Sequence, residues 1–516
     1  MVIDFKNETY LDFSKQENIE AMQAALNALK TKLPMKIPAI IGGERIFGTR
    51  TFKSTNPADP DMVLAEVTAS DQELAEKAIR TSYANFYEWS HTDPKARARI
   101  LLRAAAIMRR RRLEIDAVEI MEAGKPWLEA DADVAEAIDF LEFYAREMIR
   151  LDGPQDLTCI SGEDNELYYL PLGVGISIPP WNFPMAITAG MTTAGLVTGN
   201  TMILKPASPT PVTAYLLYEI LEEAGLPDGM LQFLPGSGAS IGDFLVQHEL
   251  TRFISFTGSK AVGLRINELA AKRSPKQRWI KRVITEMGGK DTIVVDEGVD
   301  LNAAAIGVTK AAFGFQGQKC SACSRVIVHE AIYDEFLKLL KQKAKDITIG
   351  PVEDYNNEMG PVITDFAKNG IMAYIEIGKK EGKLMLGGKG LDRGGYFIEP
   401  TIFVDVDIKA RIAQEEIFGP VLTVLKAGDF DQAMKMANDS VYGLTGALYS
   451  RNRKHLEIAR RDFFVGNLYL NRKCTGALVD VHPFGGFNLS GTDSKAGGRD
   501  YLKLFLQAKS VTEYLG

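Results

Sequence analysis

Residues 173–208 read GVGISIPPWNFPMAITAGMTTAGLVTGNTMILKPAS. A short β-branched run, GVGISI, stops at two prolines. A long stretch of small and apolar residues follows, and a second apolar run, TMIL, ends at Lys205. No charge occurs from Leu167 to Leu204, a length that a membrane helix needs. Pro171, Pro179, Pro180 and Pro184 break it, however, because proline removes a backbone donor and clashes inside a helix. The stretch therefore reads as strand, turn, buried helix, buried strand. The alternation continues with PVTAYLLYEILEEAG (helix), LQFLPG (strand), SIGDFLVQH (helix), RFISF (strand), SKAVGLRINELAAK (helix) and RVIT (strand). A second run starts near TIVV, with helices in LNAAAIGVTKAAFGF and AIYDEFLKLLKQKAK and strands in RVIVH, GPVLTVL and GNLYLN. Such alternation predicts two doubly wound α/β domains with parallel sheets. Ligands of such sheets bind outside the carboxyl ends of the strands, so the loops that follow strands are expected to carry the chemistry.

Around these domains the pattern predicts an amphipathic helix over 14–32, a helix opened by a Ser70–Glu73 capping box, and helices over Pro94–Ala123 and Pro126–Ile149. LDGPQDLTCISGEDNELYYLPLG reads as a hairpin leaving the domain, and AKSVTEYL as one late strand. The 516 residues are 46% hydrophobic and 25% charged, with net charge −7, so no basic footprint for nucleic acid is present. Asp4, Glu8 and Asp12 argue against a signal or transit peptide. Four cysteines are too few for a disulfide scaffold and point to a reducing cytoplasm.

Several motifs each admit two readings. LPGSGASIG places Gly236, Gly238 and Gly242 between strand and helix, as a tight turn or a phosphate loop. FTGSKAVG sets Thr257, Gly258 and Ser259 at a helix N-terminus, where a pyrophosphate is favoured. Two such turns in succession favour a nucleotide. Lys205 is a strand-end surface lysine or a ligand contact. Asn182, the polar side chain of the stiff PPWNFP loop, either satisfies backbone or donates to an oxyanion. Glu286 in VITEMGGKD is a solvated carboxylate or a general base. Glu416 and Phe418 in EEIFGPV precede a Gly-Pro turn and a strand. GQKCSACS holds Cys320 and Cys323. Zinc needs about four ligands, whereas Cys159 and Cys474 are isolated in sequence and none of the five histidines lies near Cys320; no metal site is expected. A redox pair suits a smaller domain. A single nucleophile at Cys320 is the better use, with Cys323 a small apolar neighbour and a Cys320–Cys323 disulfide on oxidation left open.

Taken in order, PWNFP, ILKPAS, FTGS, EMGGKD, GQKC, EEIFGPV and PFGGFNLSG resemble the NAD(P)-dependent aldehyde dehydrogenase superfamily, from about Pro38 to the C-terminus. The resemblance implies a Rossmann-like cofactor domain over 38–150 and 171–286 and a catalytic domain over 287–487. It implies an oligomerisation flap and arm at 151–170 and 488–516, after an N-terminal helical segment over 1–37. Cys320 would attack the aldehyde to give a thiohemiacetal and then a thioester. Asn182 and the Cys320 backbone N–H would hold the oxyanion, and Glu286 would activate the hydrolytic water. Ile178, Pro180, Trp181, Lys205, Ser208, Gly238, Gly258, Ser259, Gly288, Glu416 and Phe418 would bind the cofactor. Of these, Lys205 would meet the adenosine ribose, Ser259 the pyrophosphate, and Glu416 and Phe418 the nicotinamide end. Strict NAD enzymes of the family often carry Glu where Ser208 stands, so NAD with tolerance of NADP is expected. Members are usually homodimers or larger homo-oligomers.

Within the superfamily the chain is most similar to the branch acting on glutamate γ-semialdehyde, which equilibrates with 1-pyrroline-5-carboxylate in proline breakdown. That likeness rests on Ser321, the loop NRKCTGALVDVHPFGG and the helical EADADVAEAIDF. It implies that Ser321, Gly476 and Ala477 grip the α-carboxylate, Glu136 meets the α-ammonium, and Phe183 and Phe484 flank the aliphatic part. The expected partner is thus a small amino-aldehyde, with neither nucleic acid nor membrane. The alternatives are another semialdehyde, such as succinate semialdehyde, and a catalytically silent member serving as a structural or binding protein.

Overall fold

The computed structural model describes residues 4–516. Strands Val174–Ile178, Thr201–Leu204, Leu231–Phe233, Thr251–Thr257 and Arg282–Glu286 run parallel in one sheet. Their spatial order starts at Arg282–Glu286, then Thr251–Thr257, Val174–Ile178, Thr201–Leu204 and Leu231–Phe233. A hairpin, Ala39–Ile41 with Glu44–Ile46, extends the far edge antiparallel. The chain winds outward in both directions from Val174–Ile178. A crevice is therefore expected between Ile178 and Gly258, where the winding reverses.

The uncharged stretch forms the centre of this sheet. Every residue of Val174–Ile178 and of Thr201–Leu204 is buried. Helix Ala186–Val197 is buried on nearly all sides, and its Thr192 hydroxyl donates to Ser177 Oγ at 3.0 Å. Helix Trp127–Leu151 lies across it. A Cβ at Gly190 would come within 3.1 Å of the Phe140 ring, so the two helices approach as closely as glycine permits. Among the described residues no helix is long and apolar enough to cross a membrane.

A second sheet orders Lys383–Leu386, Thr401–Val404, Val421–Ala427, Cys323–His329, Asp291–Val295, Thr445–Tyr449 and Asn467–Leu470. All are parallel except the first, an antiparallel edge. The sequence reading missed Thr401–Val404, Thr445–Tyr449 and that edge strand. It also missed a separate three-stranded sheet of Met35–Ile37, Thr51–Asn56 and Asp59–Thr68.

Four expectations need correction. The helix over Gln72–His91 is capped by Asp71, which is extended (φ −112°, ψ −175°) and accepts from Leu74 N–H; Ser70 lies one residue too early and is buried. The helix expected over Pro94–Ala123 breaks at Arg111 (φ −95°, ψ 9°) into Pro94–Arg110 and Arg112–Ala123. Arg111 ion-pairs with Glu114 and Glu219 there, partners that the basic run 109–112 does not reveal. SIGDFLVQH is α-helix over Asp243–Gln247 alone, and a wide turn over Gly238–Gly242 takes the place of its first turn. The expected hairpin does not fold on itself. Glu163–Pro171 instead pairs antiparallel with Leu506–Tyr514, from Glu163 opposite Tyr514 to Pro171 opposite Leu506. Its partner is the late strand at the chain's other end.

Candidate active site

A cavity of about 150 Å³ is walled in part by strands of the first sheet and by loops that flank the second, and brings together Glu136, Phe183, Glu286, Cys320, Ser321, Gly476, Ala477 and Phe484. Glu286 ends a strand of the first sheet, whereas Cys320 stands three residues before Cys323–His329 of the second. The expectation that site residues follow strands thus fails for the nucleophile candidate. Here the carboxyl edge of one sheet faces the amino edge of the other.

The chain reaches Cys320 through left-handed backbone at Phe315 (φ 49°), Gln316 (φ 57°) and Gly317 (φ 67°). Such strain persists only where the surroundings over-determine it. Gln316 Nε2 donates to the carbonyls of Gly124 (2.9 Å) and Pro361 (2.7 Å), and Gln318 Oε1 accepts from Ile363 N–H (2.9 Å). At Gly317 any Cβ would strike the Gly419 carbonyl. Burial, then the Asp291, Glu286 and Glu416 carboxylates, push the Cys320 pKa up, so the unliganded protein holds a thiol there. Asn182 is buried, its Nδ2 donating to Gln318 O at 3.0 Å, two residues before the nucleophile candidate.

Glu286 Oε1 accepts from Ser494 Oγ (2.6 Å) and Ser494 N–H (3.3 Å), and Oε2 from Gly486 N–H (3.1 Å). Burial raises its pKa to about 7 against these hydrogen bonds, which pull it down. A carboxyl poised near neutrality suits a general base. Ser494 went unnoticed in the sequence, where it lies 208 positions from its partner.

Ser321, Gly476 and Ala477 line the cavity, as does Lys319, whose Nζ lies 2.6 Å from Glu129 Oε1. That ion pair was also missed, although Lys319 adjoins Cys320. Cys474 is not isolated: it lies against Cys323, and its Sγ is 3.4 Å from Ser321 O. The loop carrying Gly476 and Ala477 is thereby fastened to the segment after Cys320. Phe183 presents its ring 4.4 Å from Lys125 Nζ. Lys125 is fully buried and ion-paired with Asp133 (2.6 Å) and Glu119 (3.3 Å). Burial, then Asp133, raise the Glu136 pKa to about 8.

None of the cofactor candidates lines this cavity. Lys205 is buried, and its Nζ donates to the Pro206 and Gly236 carbonyls, both at 3.2 Å. Desolvation lowers its pKa to about 8. Ser259 caps helix Lys260–Ala271 in position but bonds none of its N–H groups by side chain. At Gly288 a Cβ would collide with the Glu416 carboxylate, which accepts from Gly289 N–H at 3.1 Å. Phe418 meets Trp181 edge-on, with ring centroids 5.5 Å apart. Ser208 and Gly238 are exposed, and Ile178 and Pro180 line the strand end and the start of the next loop.

A thiol and a carboxyl near neutrality thus share the wall of one cavity beside two largely parallel sheets. The chain belongs to the Aldehyde dehydrogenase family, whose profile matches residues 47–511. It is 57% identical over 513 residues to the 1-pyrroline-5-carboxylate dehydrogenase of Anoxybacillus flavithermus, covering 99% of this chain and all of that one. It is 53% identical to the Bacillus subtilis enzyme of the same name, with the same coverage. A solved 1-pyrroline-5-carboxylate dehydrogenase from Thermus with bound NAD superposes with a TM-score of 0.98, at 49% identity over the whole of both chains.

Proposed function

We propose that the chain oxidises L-glutamate γ-semialdehyde, in equilibrium with 1-pyrroline-5-carboxylate, to L-glutamate with NAD, the second step of proline breakdown. The observation that carries this is the makeup of one cavity, whose wall holds Glu136, Ser321, Gly476 and Ala477, Cys320 with Glu286, and the rings of Phe183 and Phe484. A zwitterionic amino-aldehyde needs that set, namely an acceptor for N–H⁺, donors for carboxylate, and apolar walls. The full-length relatives named for this reaction support it.

The residues present fit NAD. Lys205 is a buried cation bonded to carbonyls alone, Glu416 keeps acceptor capacity beyond one backbone bond, and Ser259 heads a helix without a side-chain cap. Lys205 would hold the adenosine ribose, Ser259 the pyrophosphate, and Glu416 and Phe418 the nicotinamide end. Bound NAD supplies the hydride acceptor, and its cationic ring favours the thiolate. Cys320 Sγ loses its proton to solvent water and bonds to the aldehyde carbon. The oxygen becomes an oxyanion that the Asn182 amide and the Cys320 N–H stabilise, each such donor worth about 3–4 kcal/mol. Loss of hydride from that carbon leaves a thioester on Cys320. Ionised Glu286 takes a proton from water, whose oxygen attacks the thioester and releases glutamate and the thiol.

Ser208 leaves the ribose end without a carboxylate to repel an added phosphate, which supports tolerance of NADP. The two-stranded ribbon of Glu163–Pro171 and Leu506–Tyr514 stands apart from both main sheets. An isolated pair of strands is marginal in water, which supports a homodimer or larger homo-oligomer built through it. Four free thiols support a reducing, cytoplasmic setting.

The deciding experiment is one assay: purified protein, a panel of aldehydes including the pyrroline-carboxylate equilibrium mixture, and NAD and NADP separately. The amino-aldehyde should give the highest kcat/KM. Equal turnover of succinate semialdehyde would refute the substrate assignment. Cys320→Ala should abolish NADH formation without unfolding; surviving activity would refute the nucleophile and revive the alternatives.

A further inference from the structure

The first described residues lie well before residue 47, where the family match begins, yet they reach the substrate cavity. Glu8 N–H donates to Asp139 Oδ1 (2.7 Å), and Leu11 N–H donates to Asp131 Oδ2 (2.8 Å). Asp131 and Asp139 stand on helix Trp127–Leu151 on either side of Glu136 in sequence. Asn7 Nδ2 bridges Asp139 Oδ2 (2.9 Å) and the Val479 carbonyl (3.0 Å), and Val479 follows Ala477 by two residues. This strap ties the helix bearing Glu136 to the loop bearing Gly476 and Ala477. Between its anchor points sits Tyr10, which lines the cavity together with Glu136.

We propose that Tyr10 is a specificity-determining residue, and that the strap caps the ammonium end of the cavity and keeps water from Glu136. An opposite-charge contact is weak in bulk water and several-fold stronger at an effective dielectric constant of about 20. The cap moves the pair of Glu136 and a bound ammonium toward the second condition. Burial and then the Glu136 charge raise the Tyr10 pKa, as a phenol held close to that carboxyl requires. The cation site is therefore completed by a segment outside the family match. This inference rests on the amino-aldehyde reading above.

The test compares two competitive inhibitors of pentanal oxidation, L-glutamate and glutarate, which differ only in the ammonium group. If wild type does not bind glutamate more tightly than glutarate, the amino-aldehyde reading itself fails. If it does, Tyr10→Ala should raise the inhibition constant of glutamate roughly tenfold, about 1.4 kcal/mol, and that of glutarate less than twofold. Tyr10→Phe, which keeps the ring over the site, should retain the discrimination. Asn7→Ala, which unties the strap from Asp139 and Val479, should lose it as Tyr10→Ala does. Tyr10 is 55% exposed, so its truncation leaves the fold intact. Equal weakening of both inhibitors, no change in either, or loss of discrimination in Tyr10→Phe would overturn the proposal.

Discussion

Ser494→Ala tests whether Glu286 acts as the base and whether its pKa is set where the structure places it. The Ser494 hydroxyl donates to Glu286 Oε1 at 2.6 Å, while Ser494 N–H (3.3 Å) and Gly486 N–H (3.1 Å) remain in the variant to hold the carboxylate in position. A hydrogen bond to a charged acceptor is worth about 1.5–3 kcal/mol, and one pKa unit is about 1.36 kcal/mol. Losing the hydroxyl should therefore raise the Glu286 pKa from about 7 by roughly one to two units. The ionised form is the base, so the acid limb of kcat moves to higher pH. At pH 7 the ionised fraction falls from about a half to about a tenth or a hundredth, and kcat should fall with it wherever thioester hydrolysis limits turnover. Formation of the thioester does not use Glu286. Rapid mixing at pH 7 should consequently show a burst of NADH near one per active site, followed by the slowed steady state. Raising the pH above 9 should restore most of the rate. A variant with lower kcat at every pH and an unmoved acid limb would refute the assignment, as would an acid limb displaced to lower pH.

Glu136→Ala should raise KM for the amino-aldehyde by roughly thirtyfold or more, since truncating one member of a desolvated charge pair costs about 2 kcal/mol or more; succinate semialdehyde kinetics should not change. Because the empty Glu136 has a pKa of about 8, binding of glutamate at pH 7 should release close to one proton. Calorimetric enthalpies in buffers of different ionisation heat would show this, and Glu136→Gln should abolish it. Ser208→Glu should suppress activity with NADP while NAD kinetics stay within about twofold, because the new carboxylate repels a 2′-phosphate at close range; undiminished NADP turnover would sink the idea. Lys125→Met leaves Asp133 and Glu119 without their buried cation, a loss of about 3–5 kcal/mol visible as a lower thermal midpoint. An unchanged midpoint would mean that the two carboxyl groups share a proton and need no cation.

What could be read in the sequence, and what could not, divides along a physical line. Val174–Ile178 and Thr201–Leu204 are buried on both faces, so they appear as unbroken apolar runs, and the parallel order follows from alternation with helices. Periodicity records that a face is buried without recording what buries it. Glu163–Pro171 was accordingly legible as extended chain but not as the partner of Leu506–Tyr514, about 340 positions away. The motifs put Cys320, Glu286 and Ser321 in one reading because each is a short local pattern. Ser494, Lys319 and Tyr10 were missed because each acts through a partner distant in sequence: Glu286, Glu129, and a strap anchored on Asp131 and Asp139. Asp131 and Asp139 are buried carboxylates, which are stable only when hydrogen-bonded or paired. The sequence therefore did hold a signal of the missing contacts. Helix Trp127–Leu151 places Asp131, Asp133 and Asp139 at buried positions, and each such carboxylate requires a donor from somewhere. Asking which groups could supply those donors would have led from EADADVAEAIDF to Lys125, to Arg112 and to the backbone of the N-terminal strap.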